Sequence, residues 1–556
     1  MTAVSTLVRS LLEKRGYSSD DQIQAFLEPD YALHTHSPFL FRDMEKAVGR
    51  LIRAIREGER IAVYADFDCD GIPGAALLSD FFAKIAYTNV EIYIPHRDKE
   101  GYGLHQRAID TLAERGVTLM ITVDVGTTAR DAIRHAKEKG IDTIVTDHHE
   151  ITGDEPQAFA LINPKIAPYP YGSLCGAATA FKLVQATLIR GRESGDTRYT
   201  TVTDGWEKWL LDLVAIATIA DMVPLTGENR TLAFWGLQVL RKTSRAGIIA
   251  LAAHLRLRKS ELTEDDIGFS IAPRINAASR MDSPELALAL LTTRDALEAE
   301  TLARALDKLN QSRKGVVAAI VREARKRVLE RFTDSDRVLV FGDTDWKPSL
   351  LGLAANSLVG DRGGVVCLWG RDAEGRLKGS CRSDGALSVV DIFTHAGGAL
   401  VESGGHEMSG GFTVADGSVH ALQDVFARAA SELDAKEAVK EYEHDVNVGL
   451  SEVSPALWRD IARLAPFGVG NRKPILHLSR VQVSAVKQFG KEKNHIELSL
   501  ICMDTGRSAR GYDFFRRADG FTSLPAQGSA ARVLATLERD TYRGGVALRL
   551  IDVVST

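Results

Sequence analysis

Between Ile61 and Asp147, short β-branched runs alternate with segments of helical spacing, and this alternation constrains the fold more tightly than any other feature of the chain. The runs are IAVYAD (61–66), VEIYIP (90–95), TLMITVD (118–124) and DTIVTD (142–147), with helical patterning around 74–86, 105–115 and 129–139. Strands joined by helices of that length make right-handed βαβ units and a parallel sheet. Three of the runs end in an aspartate: Asp66, Asp124 and Asp147. Ligands of open α/β sheets sit beyond the carboxyl ends of the strands, so acids placed there converge on one crevice.

Other architectures flank that region. WLLDLVAIATIADMVPL (209–225) is apolar almost throughout and reads as a buried helix that delivers Asp221 at its end. Residues 285–332 lack proline and are rich in Ala, Leu, Arg and Glu, which predicts long helices bridging two lobes. Strand-like runs return after Asp336 (RVLVFGD, GGVVCLWG, LKGSCRS, GGFTVA) beside a glycine-rich stretch at 397–411, as expected of a second, smaller α/β domain. From Val446 onward short strands with polar turns predict a small barrel or sandwich. Residues 446–556 hold 16 Lys and Arg against 10 Asp and Glu, although the chain of 556 residues carries a net −5, so basic charge is concentrated at the C-terminal end.

The expected organisation is an N-terminal segment (1–50), an α/β catalytic domain (51–284), a helical linker (285–335), a smaller α/β domain (336–435) and a barrel (446–556). Five scattered cysteines with no C-x-x-C pair argue against a disulfide framework or a structural zinc. No uninterrupted apolar stretch approaches the ~20 residues that span a bilayer, and a cytoplasmic protein with no membrane partner is expected.

The segment from Asp66 through Asp68 and Asp70 to Gly71 places three carboxylates within five residues, between a strand and a helix. Unpaired, they repel one another at neutral pH, and hard divalent cations relieve such a cluster; a solvated turn is the plain alternative. Thr146-Asp147-His148-His149-Glu150 adds imidazoles beside a carboxylate, a combination that suits Mn²⁺, Zn²⁺ or Fe²⁺. Together Asp68, Asp70, Asp124, His148 and Asp221 supply enough ligands for two adjacent metals. Two ions ~3.5–4 Å apart activate a water and stabilise the leaving oxygen of an in-line phosphoryl displacement, so phosphoester hydrolysis is the chemistry implied.

DFDCDG (66–71), VDVG (123–126), TDHH (146–149) and ATIADMVPL (217–225) resemble the four acidic motifs of the DHH phosphoesterase family. The resemblance continues, from about residue 35 to the end, in the form seen in RecJ-type single-strand-specific 5′→3′ DNA exonucleases. It is carried by EGYGL (100–104), INPK with PYP (162–170), LCGAATAFKL (174–183), PRINAASRMDSPELALALL (273–291), GSCRS (379–383), GGHEMSGG (404–411) and APFGVGN (465–471). It implies a DHH parallel-sheet domain, a long helical linker, a smaller α/β DHH-associated domain and a C-terminal OB-like barrel. It further implies two Mn²⁺ or Mg²⁺ ions, with Asp124 as the bridging carboxylate and Asp68, Asp70, His148 and Asp221 as ligands. Asp66 lies in the same motif, as a ligand or as a support for the turn. By the same resemblance His149 faces the scissile phosphate and Asp147 orients the histidine pair.

A terminal phosphate calls for arginine forks, and the family pieces that match are Arg97, Ser380 and Arg382, with Arg280 placed to meet a backbone phosphate. Gly404, Gly405 and His406 resemble the G-G-H of the DHH-associated domain, where the backbone approaches substrate and the imidazole donates to a phosphate oxygen. Single-stranded DNA also needs a basic track and aromatic platforms. Arg472, Lys473, Lys487, Lys491, Lys493, Arg516 and Arg517 interleave with Phe489, Tyr512, Phe514, Phe515 and Tyr542 in the C-terminal module. The chain departs from the family pattern at Lys347, Ala178-Thr179 and Ser409-Gly410, none of which is an expected metal ligand.

The expected function is metal-dependent 5′→3′ hydrolysis of single-stranded DNA to mononucleotides, in DNA repair and recombination. The resemblance adds a single-strand-binding protein and a helicase as partners. Two alternatives remain open at this level: a DHH phosphodiesterase for short oligonucleotides or cyclic dinucleotides, and a non-catalytic replication scaffold. A dinucleotide-binding domain is disfavoured because the first strand-to-helix turn is acidic where a pyrophosphate needs N–H groups and positive charge.

Overall fold

The computed structural model describes residues 4–151, 153–333, 335–434, 444–490, 493–516, 520–523, 526–540 and 543–555. The chain forms two compact units, one of residues 36–223 and 235–439, the other of residues 1–35, 224–234 and 440–556.

In the larger unit the β-branched runs form the parallel sheet that the sequence predicts. Its strands are β1 (Arg60–Ala65), β2 (Val90–Tyr93), β3 (Val117–Val123), β4 (Asp142–Thr146) and β5 (Ala160–Ile162), in the order β2-β1-β3-β4-β5. Ala65 pairs with Val123 and Val123 with Thr146, so Asp66, Asp124 and Asp147 leave the sheet at one level. Backbone bonds hold that level: Asp66 donates to the Val123 carbonyl at 3.1 Å, Asp124 to Thr146 at 2.9 Å and Asp147 to Ile162 at 3.1 Å. Helix Gly71–Lys84 follows β1, and helix Leu211–Ala220 ends one residue before Asp221. The latter is buried from Leu211 to Thr218, which explains its lack of a polar stripe.

Two helices, Glu285–Thr292 and the 36-residue Ala296–Arg331, follow in the stretch read as a linker. The Asp295 side chain caps the long helix by accepting from the Glu298 N–H at 2.8 Å. A second sheet, β6 (Val338–Gly342), β7 (Val365–Arg371), β8 (Leu377–Ser383), β9 (Leu400–His406) and β10 (Ser409–Val414), runs in the order β6-β7-β8-β10-β9. Within the glycine-rich stretch, Leu400–His406 form an edge strand, β9, and Ser409 begins its return, β10. Cys367 and Cys381 stand opposite one another on β7 and β8 and are joined as a disulfide, a pairing the scattered cysteine spacing gave no hint of.

In the smaller unit β11 (Val446–Asn447), β12 (Leu476–Phe489), β13 (His495–Cys502), β14 (Ser508–Phe514), β15 (Ala530–Arg539) and β16 (Val546–Ser555) make one sheet, which closes into a barrel where β12 pairs with β15. Alternating Val and Leu from these strands fill its centre. The N-terminal helices Thr6–Lys14 and Asp20–Leu27 belong to this unit and bury Val8, Leu11, Leu12, Ile23, Phe26 and Leu27 with Leu464. Arg230 ties the segments together: its guanidinium lies 3.6 Å over the Phe26 ring and donates to the Phe26 carbonyl at 2.8 Å and the Ala465 carbonyl at 3.0 Å. Among the described residues no helix is long and apolar enough to cross a membrane.

Helix Ala246–His254 meets helix Glu285–Thr292 at Gly247, where an added Cβ would lie 1.7 Å from the Leu290 carbonyl oxygen. Gly247→Ala is expected to cost about 1–3 kcal/mol through overpacking of a rigid backbone contact. Urea denaturation checks this, and an unchanged midpoint would contradict the packing described.

Candidate metal centre and substrate cleft

Each acid reaches the crevice by a different local device. Asp66 leaves β1 directly, and the chain then turns so sharply into helix Gly71–Lys84 that a Cβ on Gly71 would lie 2.3 Å from the Asp66 carbonyl oxygen. Asp68 accepts from the N–H groups of Asp70 at 2.8 Å and Gly71 at 3.2 Å, which fixes the turn. Asp70 faces the start of helix Gly176–Glu193 and accepts from the N–H groups of Gly176 at 2.6 Å and Ala177 at 2.7 Å. Those N–H groups have no partner within their helix, so the helix end stabilises the carboxylate. Asp124 takes a left-handed backbone (φ 61°) as the chain leaves β3. A Cβ on Gly176 would stand 2.5 Å from the Asp124 Cβ, so only glycine lets the helix end approach both acids.

The histidine pair divides its work. His148 Nε2 sits 3.2 Å from Asp124 Oδ1, 3.6 Å from Asp221 Oδ2 and 3.7 Å from Asp70 Oδ2. His149 Nδ1 lies 2.7 Å from Asp147 Oδ1, and the other Asp147 oxygen accepts from the Thr127 N–H at 2.8 Å. Burial opposes charge on both rings. It brings His148 down to about 4, with the neighbouring His149 adding to the effect. In His149 the Asp147 hydrogen bond and charge outweigh burial and raise the ring to about 9. Burial would also raise Asp147, but its bond to His149 holds this carboxyl below the usual range. His148 is thus neutral and able to offer a lone pair, while His149 is a cation.

Asp66, Asp70, Asp124 and Asp221 are driven toward their neutral form. Burial, then repulsion from Asp68, raises Asp66; burial, then Asp70, raises Asp124. The same two causes move Asp70 to about 6 and Asp221 to about 9. Asp66 Oδ1 and Asp124 Oδ1 are buried and accept no hydrogen bond. Ligand atoms of Asp66, Asp68 and Asp124, of Asp70, His148 and Asp221, and of Asp124, His148 and His149 each lie within 4.8 Å of one another. Crowded carboxylates with orphaned oxygens and a neutral imidazole are the donor set that divalent cations satisfy.

Three arginines make no ion pair among the described residues. Arg97 lies 4.6 Å over the Phe67 ring, Arg280 donates to the Ser349 carbonyl at 2.8 Å, and Arg382 donates to the Cys381 carbonyl at 2.7 Å. Burial lowers all three, against the pull of Asp66, Asp68 and Asp98 in Arg97, and repulsion from Arg97 adds to the effect in Arg382 and in Arg280, which comes down to about 9. Arg97 also lines a cavity of about 700 Å³ with Tyr102, Lys347, Ser349, Gly404 and Gly411. Ser380 is half-buried on β8, two residues from Arg382. Gly404, Gly405 and His406 are exposed at the end of β9, and His406 makes no hydrogen bond or ion pair with the acids among the described residues. Lys347 pairs with Asp98 at 2.8 Å, Ala178 and Thr179 are fully buried, and Ser409 stands opposite Arg382 in register.

Residues outside the expected set also build the site. The Tyr102 hydroxyl lies 3.3 Å from His149 Nε2, on a loop whose flanking Gly101 and Gly103 have positive φ. Asn163 donates to the His149 carbonyl at 2.9 Å, and Asn276 accepts from the Cys69 N–H at 3.0 Å. All three lie inside motifs already singled out (EGYGL, INPK and PRINAASRMD), the signal that pointed to them.

In the barrel unit Phe514 and Phe515 are exposed, with His495 5.4 Å and 4.9 Å from them and Arg549 4.9 Å over Phe514. Phe489 and Tyr512 are half-buried beside them. Arg472, Lys473 and Arg516 each face an acid, Asp445, Glu538 and Asp513 in turn, whereas Lys487 and Lys493 are exposed. Lys491, Arg517 and Tyr542 lie outside the described residues.

A ligand that binds only the folded state at a hundred times its Kd stabilises by about 2.7 kcal/mol. Saturating Mn²⁺ is therefore expected to raise the melting temperature by several degrees over chelator, and Gly176→Ala to abolish that shift while the fold survives. Equal melting with and without Mn²⁺ in the unaltered chain would contradict the donor set described.

Family models match along the chain in order: the DHH family N-terminal domain over residues 60–218, the DHHA1 domain over 335–441 and the RecJ OB domain over 444–552. The single-stranded-DNA-specific exonuclease RecJ of Bacillus subtilis is 34% identical over 89% of this chain, which spans 62% of that protein. The same-named protein of Haemophilus influenzae is 31% identical over 91% of this chain and 89% of its own. The crystal structure of Thermus thermophilus RecJ in complex with Mn²⁺ superposes with a TM-score of 0.81 and 26% identity, over 100% of this chain and 76% of that one. With its sheet, its acidic crevice and its barrel matched in this way, the chain belongs to the RecJ family.

Proposed function

We propose that this chain hydrolyses single-stranded DNA from its 5′ end to mononucleotides, using two divalent cations held by Asp66, Asp68, Asp70, Asp124, His148 and Asp221. The observation that carries this reading is that the three ligand groups share residues, Asp124 belonging to two of them and His148 to two, as a bridged pair of ions requires. Bound cations of this kind supply Lewis-acid activation of water and charge compensation at the phosphate. His148 contributes an imidazole, which favours Mn²⁺ over Mg²⁺ relative to an all-oxygen site.

The chain's own residues do the rest. Asp147 keeps His149 protonated and fixes its ring, so that its Nε2–H, 3.3 Å from the Tyr102 hydroxyl, is directed to a phosphate oxygen as negative charge develops. Arg97, Arg280 and Arg382, desolvated and without acids of their own, favour an incoming dianion, with Ser380 beside them, which supports recognition of a 5′ phosphate. Gly404 lines the cavity with Arg97, and Gly404, Gly405 and His406, consecutive on β9, are assigned to substrate contact on the family motif. Phe514, Phe515 and Arg549 supply stacking and cation–π surface for the bases of a single strand. The relatives' name, single-stranded-DNA-specific exonuclease, supports the substrate class. On this reading the chain acts in the cytoplasm in DNA repair and recombination, where a helicase and a single-strand-binding protein present the strand.

A long single strand labelled separately at each terminus tests this directly. With Mn²⁺ or Mg²⁺ the 5′ label is expected to appear first, as mononucleotide, with no release in chelator; earlier release of the 3′ label would overturn the polarity. Asp124→Ala is expected to abolish hydrolysis and leave strand binding within about threefold of the original, and binding should weaken as salt rises. Surviving turnover in that variant would remove Asp124 from its assigned place.

A further inference from the structure

A cavity of about 820 Å³ belongs to neither the acidic crevice nor the arginine cleft. It opens at the C-terminal turn of helix Gly71–Lys84, against Trp206, Trp209, Lys242, Arg245 and Arg294. Asp70 sits at the other end of that 14-residue helix, so this cavity is about 20 Å from the acids.

Its walls combine two features. The first is aromatic: Trp209 is 55% exposed, and Trp206, one turn away, is half-buried with Lys84 5.7 Å over its ring. An indole that open, in a chain that buries most of its aromatics, leaves a flat face free for a planar ring. The second is charge. The two acids in the lining, Asp80 and Asp212, are both taken up by Arg245, at 2.5 and 2.8 Å, and Asp212 also accepts from the Thr243 hydroxyl at 2.8 Å. Lys84, Lys242 and Arg294 remain exposed, and none has a carboxylate partner among the described residues. The floor is thus internally neutralised and the rim is cationic.

We infer that this cavity is a binding site for a nucleoside 5′-monophosphate, with the base stacked on Trp209 and the phosphate met by Lys242 and Arg294. The volume lies within the 300–1,000 Å³ range typical of sites that enclose one small molecule. A ring platform beside unpaired cations is complementary to a ligand that is planar at one end and dianionic at the other. Nothing in the cavity depends on bound metal or on turnover, so the site stands or falls separately from the nuclease reading.

The probe is 2′-deoxyadenosine 5′-monophosphate, titrated into the full chain with chelator present and followed by tryptophan fluorescence and calorimetry. Saturable quenching with one site per chain is expected, with deoxyadenosine alone and inorganic phosphate alone each at least tenfold weaker. Trp209→Ala and Arg294→Glu should each weaken binding by about tenfold, the size expected of losing one stacked base or one phosphate contact. Circular dichroism and the rate of strand digestion, which neither residue serves, check that the variants are folded. Arg97→Ala should leave the affinity unchanged, because the arginine cleft is a different place. Absence of saturable quenching, or affinity lost in Arg97→Ala and retained in Trp209→Ala, would overturn the assignment.

Discussion

Like charge held at close quarters governs this structure. Asp66, Asp68 and Asp70 from one turn, Asp124 from a second stretch and Asp221 from a third meet in one crevice, where burial raises the cost of charge on Asp66, Asp124 and Asp221. Two unit charges 4 Å apart repel by about 4 kcal/mol at an effective dielectric of 20, and several such pairs exceed what a domain's marginal stability absorbs. The fold meets this partly from within. The uncapped start of helix Gly176–Glu193 gives two N–H groups to Asp70, and the tight turn gives two to Asp68. The oxygens left without donors on Asp66 and Asp124 mark what the polypeptide does not satisfy itself.

The same electrostatics separates the two adjacent histidines. Asp147 immediately precedes the pair, just past the end of β4, and bonds only one ring, so His149 is held as a cation and His148, beside it, is discouraged from charging. One imidazole is left with a lone pair for a cation and the other with a proton for an anion. Around them the arginines remain without ion-pair partners, and Lys347 is drawn onto Asp98.

Much of the crevice was legible because sheet register is local arithmetic. Once β1, β3 and β4 are read as parallel strands ending in aspartate, their acids must emerge together, and Asp221 follows from the end of an apolar helix. Less could be read where pairing is long-range or the residues are poor formers of their element. Gly404 and Gly405 suggest a loop, since glycine weakens strands, yet ladder bonds to β10 hold them in β9. The union of the N-terminal helices with the barrel unit rests on Leu464 and Arg230, hundreds of residues away, and leaves no periodic trace. Cys367 and Cys381 meet only because two strands align. Tyr102 and Asn163 were inside recognised motifs, but their positions at His149 depend on loop geometry that spacing does not encode.

The central claim is that these side chains jointly enclose a pair of divalent cations. Anomalous diffraction at the manganese edge from crystals of the full chain addresses it most directly. The account requires two peaks, ~3.5–4 Å apart, with Asp124 in contact with both. A single peak elsewhere, or none between Asp124, His148 and Asp221, would contradict it.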